Sequence, residues 1–349
     1  MKFPLSWLKD HLETAASAQE IADKLTAIGL EVEEVTNPGE ALAPFRVARI
    51  LTAEKHPQAD KLQVLSVDAG TGDPVQVVCG APNARAGMLG VFGPPGAYIP
   101  GSEITLKVAS IRGVESRGMM CSSRELELGD DHSGIIELPE GAPVGEPYTV
   151  YAGLDDPVFD VNVTPNRQDC MGVRGIARDL AAAGIGTLKP LAVPQVEGAF
   201  TCPIEIRNDC PEACPAFYAQ AIRGVKNGAS PEWMQRRLKA AGQRPISALV
   251  DITNYLTIGF GRPAHVYDLA TLERQLGPRR ARDGEKVLAL NEKQYTLDSS
   301  MCVIADANEV HDIGGIMGGE HSGVAAETSD VMLEIAYFEP EHIARTGQK

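Results

Sequence analysis

The sequence runs to 349 residues with 44% hydrophobic residues and a formal net charge of −15, which is too long for one ordinary core and too acidic for a protein that coats nucleic acid through charge alone. No run of about 18 apolar residues occurs, and Lys9 and Asp10 interrupt the N-terminus before a signal-peptide core could form, so the expectation is a cytoplasmic protein with no membrane association. The seven cysteines are odd in number and thinly spread, which argues against a disulfide framework; Cys202, Cys210 and Cys214 cluster without a CxxC pair or nearby histidine and read as packing, so no metal site is assigned.

In chain order, Pro4 can open a first helix, and Ser17-Ala-Gln-Glu20 is a capping box for a second. The apolar positions Ile21, Leu25 and Ile28 share one face of that helix before Gly29 stops it. Glu31 to Val35 alternates like a strand with one wet face, and Asn37-Pro-Gly39 marks a turn and a boundary. From Phe45 to about Val150 short strands are separated by Gly and Pro: Phe45 to Ala53, Leu62 to Asp68, Val75 to Cys79, Met88 to Phe92, Ile104 to Val108 and Gly118 to Cys121. That spacing predicts a small closed barrel of OB type. Residues 152–190 return to helical character, with Gly175 to Ala183 ended by Gly184, and Lys189 to Pro194 is a linker. A helical start, a complete β module and more helix predict a barrel inserted into a helical domain.

Beyond Thr201, strands at Pro203 to Asn208, Phe217 to Ile222, Val287 to Leu290, Met301 to Ala305 and Val331 to Ile335 mix with helix. The clearest helix takes Ser230 as cap and Pro231 as first residue, aligns Met234, Leu238 and Ala241, and ends at Gly242. The pattern is that of an α/β domain, with residues 277–300 as a small barrel inserted within it. Pro340 to Lys349 begins a helix that stops abruptly, as if the chain were cut.

Several groups of residues offer chemistry. Arg46, Arg49, Lys55, His56 and Lys61 surround the hairpin between the first two barrel strands, where both a phosphate-facing loop and a plain charged turn are compatible with the pattern. From Ser230 to Arg282 nine basic residues face four acidic ones, a solvated helix face or a phosphate-facing patch. Thr164-Pro-Asn-Arg-Gln-Asp-Cys170 reads as a structural latch, with Arg167 offering a fork to a carboxylate in an interdomain ion pair that would serve folding rather than chemistry. Thr253 and Asn254 lie just before a glycine-rich turn, Gly259 to Asp268, and Gly314, Gly315, Gly318 and Gly319 form a second turn that can bring N–H groups close to a ligand. His265, after Pro263, is either an imidazole that orients a water or ligand oxygen or a satisfied buried histidine, and His311 and His321 lie near the second turn. Glu334 stands among Met332, Leu333, Ile335 and Ala336, so its carboxylate should point into a protein-lined space and need a partner there.

Read together, Met1-Lys-Phe-Pro-Leu-Ser-Trp-Leu8, His56-Pro-Gln-Ala-Asp-Lys-Leu62, Val78-Cys-Gly-Ala-Pro-Asn83, Arg112 to Cys121, Thr164 to Cys170, Asp251-Ile-Thr-Asn-Tyr255 and Gly315-Ile-Met-Gly-Gly319 resemble the N-terminal half of the bacterial phenylalanine–tRNA ligase β subunit, along the whole chain. The resemblance implies a multidomain α+β protein. Residues 1–38 plus 152–190 would form a winged-helix-like domain, residues 39–150 an OB-fold tRNA-binding barrel inserted in it, and residues 200–349 an α/β editing domain with an SH3-like insertion, truncated at its C-terminus. It also implies hydrolysis of tyrosine mischarged onto tRNA(Phe), with ATP-dependent attachment of phenylalanine carried out by the α subunit of an α2β2 tetramer. ATP and Mg2+ would serve the full enzyme and no cofactor this part. By the resemblance Glu334 recognises the tyrosine hydroxyl, His265 lines the site, Gly318 leaves room for the ring within the Gly315 turn, and Thr253 and Asn254 form a polar wall near the ester. Arg262, Ala264 and Ile335 depart from residues common in the family. The alternative function is a non-catalytic tRNA-binding or structural assembly module.

Overall fold

The computed structural model describes all residues, Met1–Lys349, and divides into two compact units: Thr36–Val158, and a discontinuous unit of Met1–Val35 with Phe159–Lys349.

In the continuous unit a five-stranded antiparallel sheet runs in the order Met119–Met120, Leu89–Gly93, Arg46–His56, Ala59–Asp68, Val75–Cys79. Successive residues of a strand face opposite sides, so Val47 enters one core with Phe45, Val91 and Ile99, while Ala48 enters another with Ile50, Leu65, Val67 and Val77. Residues 116–117 bridge toward the far edge: the Arg117 N–H donates to the Gln76 carbonyl at 2.8 Å and the Ser116 hydroxyl accepts from the Val78 N–H at 3.0 Å. The first hairpin differs from the predicted loop. Both strands extend until His56 pairs with Ala59, leaving only Pro57 and Gln58 as the turn. Ile104–Thr105 is shorter than expected and pairs with Tyr98–Ile99 alone.

The discontinuous unit begins with helices Leu5–His11 and Ala18–Ala27. The second is capped as read: the Glu20 N–H donates to the Ser17 hydroxyl, and the Glu20 carboxylate accepts from the Ser17 N–H at 2.8 Å. Strand Val158–Asn162 lies between Lys2–Pro4 and Glu31–Thr36. Phe3, Trp7, Leu25, Phe159, Val161, Ile176 and Leu180 form one core, so residues from both sides of the continuous unit in sequence complete a single interior. Helix Val173–Ala182 carries Gly175 inside it rather than at its start.

The rest of this unit holds two sheets. Val331–Tyr337 is the centre of a three-stranded antiparallel sheet between Ala216–Ile222 and Ala264–Asp268. A four-stranded sheet runs Glu205–Ile206, Gln275–Arg280, Cys302–Ala305, Val310–Ile313, its first pair parallel. Within residues 277–300 the hairpin Lys286–Leu288 with Gln294–Thr296 shares a core with the strands that follow: Val287 and Leu297 pack with Val303 and Ile313.

Two helix readings need correction. Ser230 does not cap helix Glu232–Ala240; Pro231 holds the cap position, and the Ser230 hydroxyl instead donates to the buried Asp251 carboxylate, which also accepts from the Ile246 N–H at 2.8 Å. A buried acid is the stronger acceptor, and it outbids the helix end. The first glycine-rich turn is largely helix and strand. Helix Ala248–Phe260 runs through Asp251 to Gly259, Gly261 closes it at φ 64°, and Ala264–Asp268 is already a strand. Gly261 is the left-handed residue that ends a helix, which is why a glycine pair there resembled a loop.

Candidate functional site

The site is fixed by strand register. His265 lies directly opposite Glu334 across the antiparallel pair, and Ala219 stands opposite Glu334 on its other side. Directly opposed residues on one sheet face bring their side chains together. Both line an open cleft of about 1220 Å³ in the discontinuous unit, with Asp312 from strand Val310–Ile313, with Gly315, Met317 and Gly318 from the loop after it, and with Arg174, Arg178 and Arg262 nearer its rim.

Glu334 is 7% exposed, and its carboxyl has no hydrogen-bond or ion-pair partner. Burial, and next the charge of Asp312, push its pKa up to about 8. Near neutral pH the group is therefore mainly a neutral acid, able to donate a hydrogen bond as well as accept one. The His265 ring meets Tyr267 edge to face, with centroids 4.4 Å apart. A Cβ on Gly318 would stand 3.0 Å from His265 Cε1 and 2.9 Å from Leu290 Cδ1, so the bare glycine keeps the space beside the imidazole open. Gly315 serves packing instead, because a Cβ there would press on Phe338 and Ile343.

Behind these residues lies an acid that the sequence reading missed. Asp312 is buried; one carboxylate oxygen accepts the Tyr267 hydroxyl, and the other accepts the Gly319 N–H at 2.8 Å and lies 3.8 Å from His265 Nε2. Tyr267 is fully buried, and burial together with Asp312 holds its hydroxyl well above the usual phenol range, hence protonated and donating. The only signal in the sequence was a His-Asp pair beside the glycine turn. A two-residue polar interruption of a short apolar strand does not announce a buried acid.

The other expected residues fall elsewhere. Thr253 and Asn254 lie inside helix Ala248–Phe260 and do not line the cleft; Thr253 is buried and its hydroxyl donates to the Val250 carbonyl at 2.8 Å. His311 is fully buried beside Asp306 at 3.0 Å, and His321 pairs with Glu309 at 2.9 Å, so neither reaches the cleft. Arg167 is paired locally with Asp169 and Asp179, and Arg178 with the same two carboxylates, within one unit rather than across domains. Much of the basic run is also committed: Arg237 to Asp10, Arg279 to Glu285 and Arg280 to Glu212. Arg262 and Arg174 have no carboxylate partner, and both face the cleft; Arg174 rests on the Lys189 carbonyl at 3.2 Å. Cys210 lies 3.4 Å from Cys302, sulfur to sulfur, in a small core with Cys214, whereas Cys202 is exposed.

On the continuous unit Lys55 and Lys61 are exposed beside the hairpin turn, while Arg46 donates to the Gly145 carbonyl at 2.9 Å. Arg49 approaches the Gly87 carbonyl at 3.4 Å. His56 is 5% exposed with both ring nitrogens engaged, Nε2 with the Ile111 carbonyl at 3.0 Å and Nδ1 with the Gln58 N–H at 3.0 Å. It organises the hairpin and has no free nitrogen for a phosphate.

Two domain families match the chain: a putative tRNA binding domain over residues 45–147 and a B3/4 domain over residues 213–349. The phenylalanine–tRNA ligase beta subunit of Novosphingobium aromaticivorans is 65% identical over 348 residues, covering 100% of this chain and 44% of that protein. Its counterpart in Zymomonas mobilis is 62% identical over 349 residues, with the same two coverages. Along its whole length the chain matches phenylalanine–tRNA ligase β subunits. It spans less than half the length of these relatives. A solved N-terminal fragment of the phenylalanyl-tRNA synthetase beta-subunit from Pyrococcus horikoshii overlaps 54% of this chain and 58% of that one at 15% identity and a TM-score of 0.33, too slight a likeness to bear on the fold. The tRNA-binding match falls inside the continuous unit, and the B3/4 match contains His265, Asp312, Gly318 and Glu334. No helix is long and apolar enough to cross a membrane.

Proposed function

We propose that this part of a phenylalanine–tRNA ligase β subunit binds tRNA(Phe) and hydrolyses tyrosine wrongly esterified to it, in support of ATP- and Mg2+-dependent charging by an α subunit in a cytoplasmic α2β2 enzyme. The observation that carries the reading is Glu334: a buried carboxyl without a partner, opposite His265 and beside the opening left by Gly318. A phenol hydroxyl is the partner such a group lacks. Phenylalanine in the same place leaves the carboxyl unpaired, and a site built to bond a hydroxyl rejects the analogue without it by roughly 10⁴- to 10⁵-fold, against about 10² when an apolar pocket must exclude the hydroxyl. That asymmetry favours a second, hydrolytic site over a stricter first one.

The size and lining of the cleft agree with this. At about 1220 Å³ it exceeds the roughly 300–1,000 Å³ usual for small-molecule pockets. An aminoacyl group and its terminal nucleoside both find room. Arg262 and Arg174 place cationic groups free of carboxylates where RNA phosphates would pass. The lining includes no Ser, Thr, Cys or Lys, which leaves water as the attacking group and positioning as the main source of rate.

The test supplies tyrosyl- and phenylalanyl-tRNA(Phe) to the full-length enzyme. Glu334→Ala should lower the preference for the tyrosyl ester roughly 10- to 100-fold, the scale of a buried polar group left unpaired. Unchanged preference would sink the assignment.

A further inference from the structure

In the wall of the cleft, Asp312 joins three elements through one carboxylate. Its carboxylate faces the elements packed around it: Tyr267 and His265 on one strand, the Gly319 amide on the loop, and Glu334 on the central strand. Tyr267 and Gly319 are donors and hold the carboxylate in one orientation. The side of it that remains faces His265 Nε2, 3.8 Å away and with no other hydrogen-bond partner, while the Nδ1 edge of the ring is turned to the space that Gly318 leaves, 3.5 Å from where a Cβ would be.

We propose that Asp312 is a positioning residue for the hydrolytic site: its carboxylate holds the His265 proton on Nε2, so that the Nδ1 lone pair faces the cleft as an acceptor for the attacking water. This rests on the editing reading for its catalytic consequence, though not for its structural one. A neutral imidazole has one donor and one acceptor nitrogen, and the partner of the buried nitrogen decides which is which. A carboxylate accepts only, so the nitrogen facing it carries the hydrogen. Tyr267 adds rigidity from both sides, bonding Asp312 through its hydroxyl and bracing the His265 ring with its edge. The 3.8 Å separation is longer than a hydrogen bond and closes by a small rotation of the imidazole when a ligand seats beside it.

The experiment is a tautomer measurement on isotope-labelled histidine in the full chain at a pH where His265 is neutral. The chain has seven histidines, so the His265 signals are assigned by their loss in His265→Gln. The wild type should carry its proton on Nε2. D312N, which keeps the shape but loses the charge, should shift a substantial fraction to the Nδ1–H form and, in the full-length enzyme, lower kcat for the tyrosyl ester on the order of 10²-fold while KM changes little. A wild-type Nδ1–H form, an unchanged tautomer in D312N, or a shifted tautomer with unaltered kcat would each overturn the proposal. Should D312N fold poorly, the wild-type spectrum and Tyr267→Phe, expected to retain the Nε2–H form, decide the matter. If the wild-type enzyme hydrolyses no tyrosyl ester at all, the editing reading fails on its own, and the tautomer still decides what Asp312 does.

Discussion

At the scale of single residues, Glu334 converts position into a pH dependence. Its pKa rises from the ordinary carboxyl value of 4.5 to about 8 on folding. A group whose pKa is raised in the folded state contributes stability that is fully present below the unfolded value and is lost as pH rises through the folded one. The protein should therefore lose stability between about pH 4.5 and 8, by up to a few kcal/mol. Glu334→Gln, neutral throughout, should remove that slope. Thermal melts of the two proteins across this range check it, and parallel curves would contradict the burial argument. An acid flanked on both sides by apolar residues was legible from sequence as a buried group, because strand alternation leaves it nowhere wet to go. Asp312 was not, since its burial depends on Tyr267 arriving from a strand far away in sequence.

At the scale of elements, neighbouring glycines in the loop after Val310–Ile313 do different jobs. Gly318 borders open space and two side chains, of which Leu290 is exposed and free to move. Gly319 is pressed against backbone: a Cβ would collide with the His311 carbonyl. Gly318→Ala should thus fold with a cost near 1 kcal/mol or less and impair hydrolysis, whereas Gly319→Ala should cost several kcal/mol, as overpacking against an immobile group does. Denaturant unfolding with a parallel hydrolysis assay separates them; equal stability losses would contradict the assignment. Sequence spacing identified the loop but not this division of labour, which comes from contacts across the sheet. The same limit explains helix Ala248–Phe260. Two glycines and a proline near its end looked like a turn, yet one glycine lies inside the helix and packs on Trp7 while the next supplies the left-handed cap.

At the scale of the whole molecule, the chain leaves and re-enters the discontinuous unit on neighbouring strands, Glu31–Thr36 and Val158–Asn162. Phe3 stacks on Phe159 with centroids 5.4 Å apart, so the halves on either side complete one core. Replacing residues 36–158 by a short flexible linker should leave the remainder folded, with helical circular dichroism and a cooperative melt retained. A non-cooperative melt would show that the inserted unit is needed for the core. The composition changes at the Asn37-Pro-Gly39 turn, whereas the continuous unit begins at Thr36, just before it. The partnership of the two flanks was readable only as an ordering of helix, barrel and helix; which side chains meet had to come from the packed structure.

Trp7 carries a consequence for anyone who would dissect this protein. It stacks flat on Tyr255, 4.5 Å between centroids, and Gly259 packs on its ring, while Gly172 sits so close to Gly261 that a methyl group would not fit between them. The helix that delivers the chain to His265 is thus shaped on one flank by residues more than 240 positions earlier. A scissor placed at residue 213, where the B3/4 match begins, would leave that flank without its indole cover and would expose an aromatic face to water. The B3/4 segment is a domain in the comparison of sequences, but in solution it would be a torn surface.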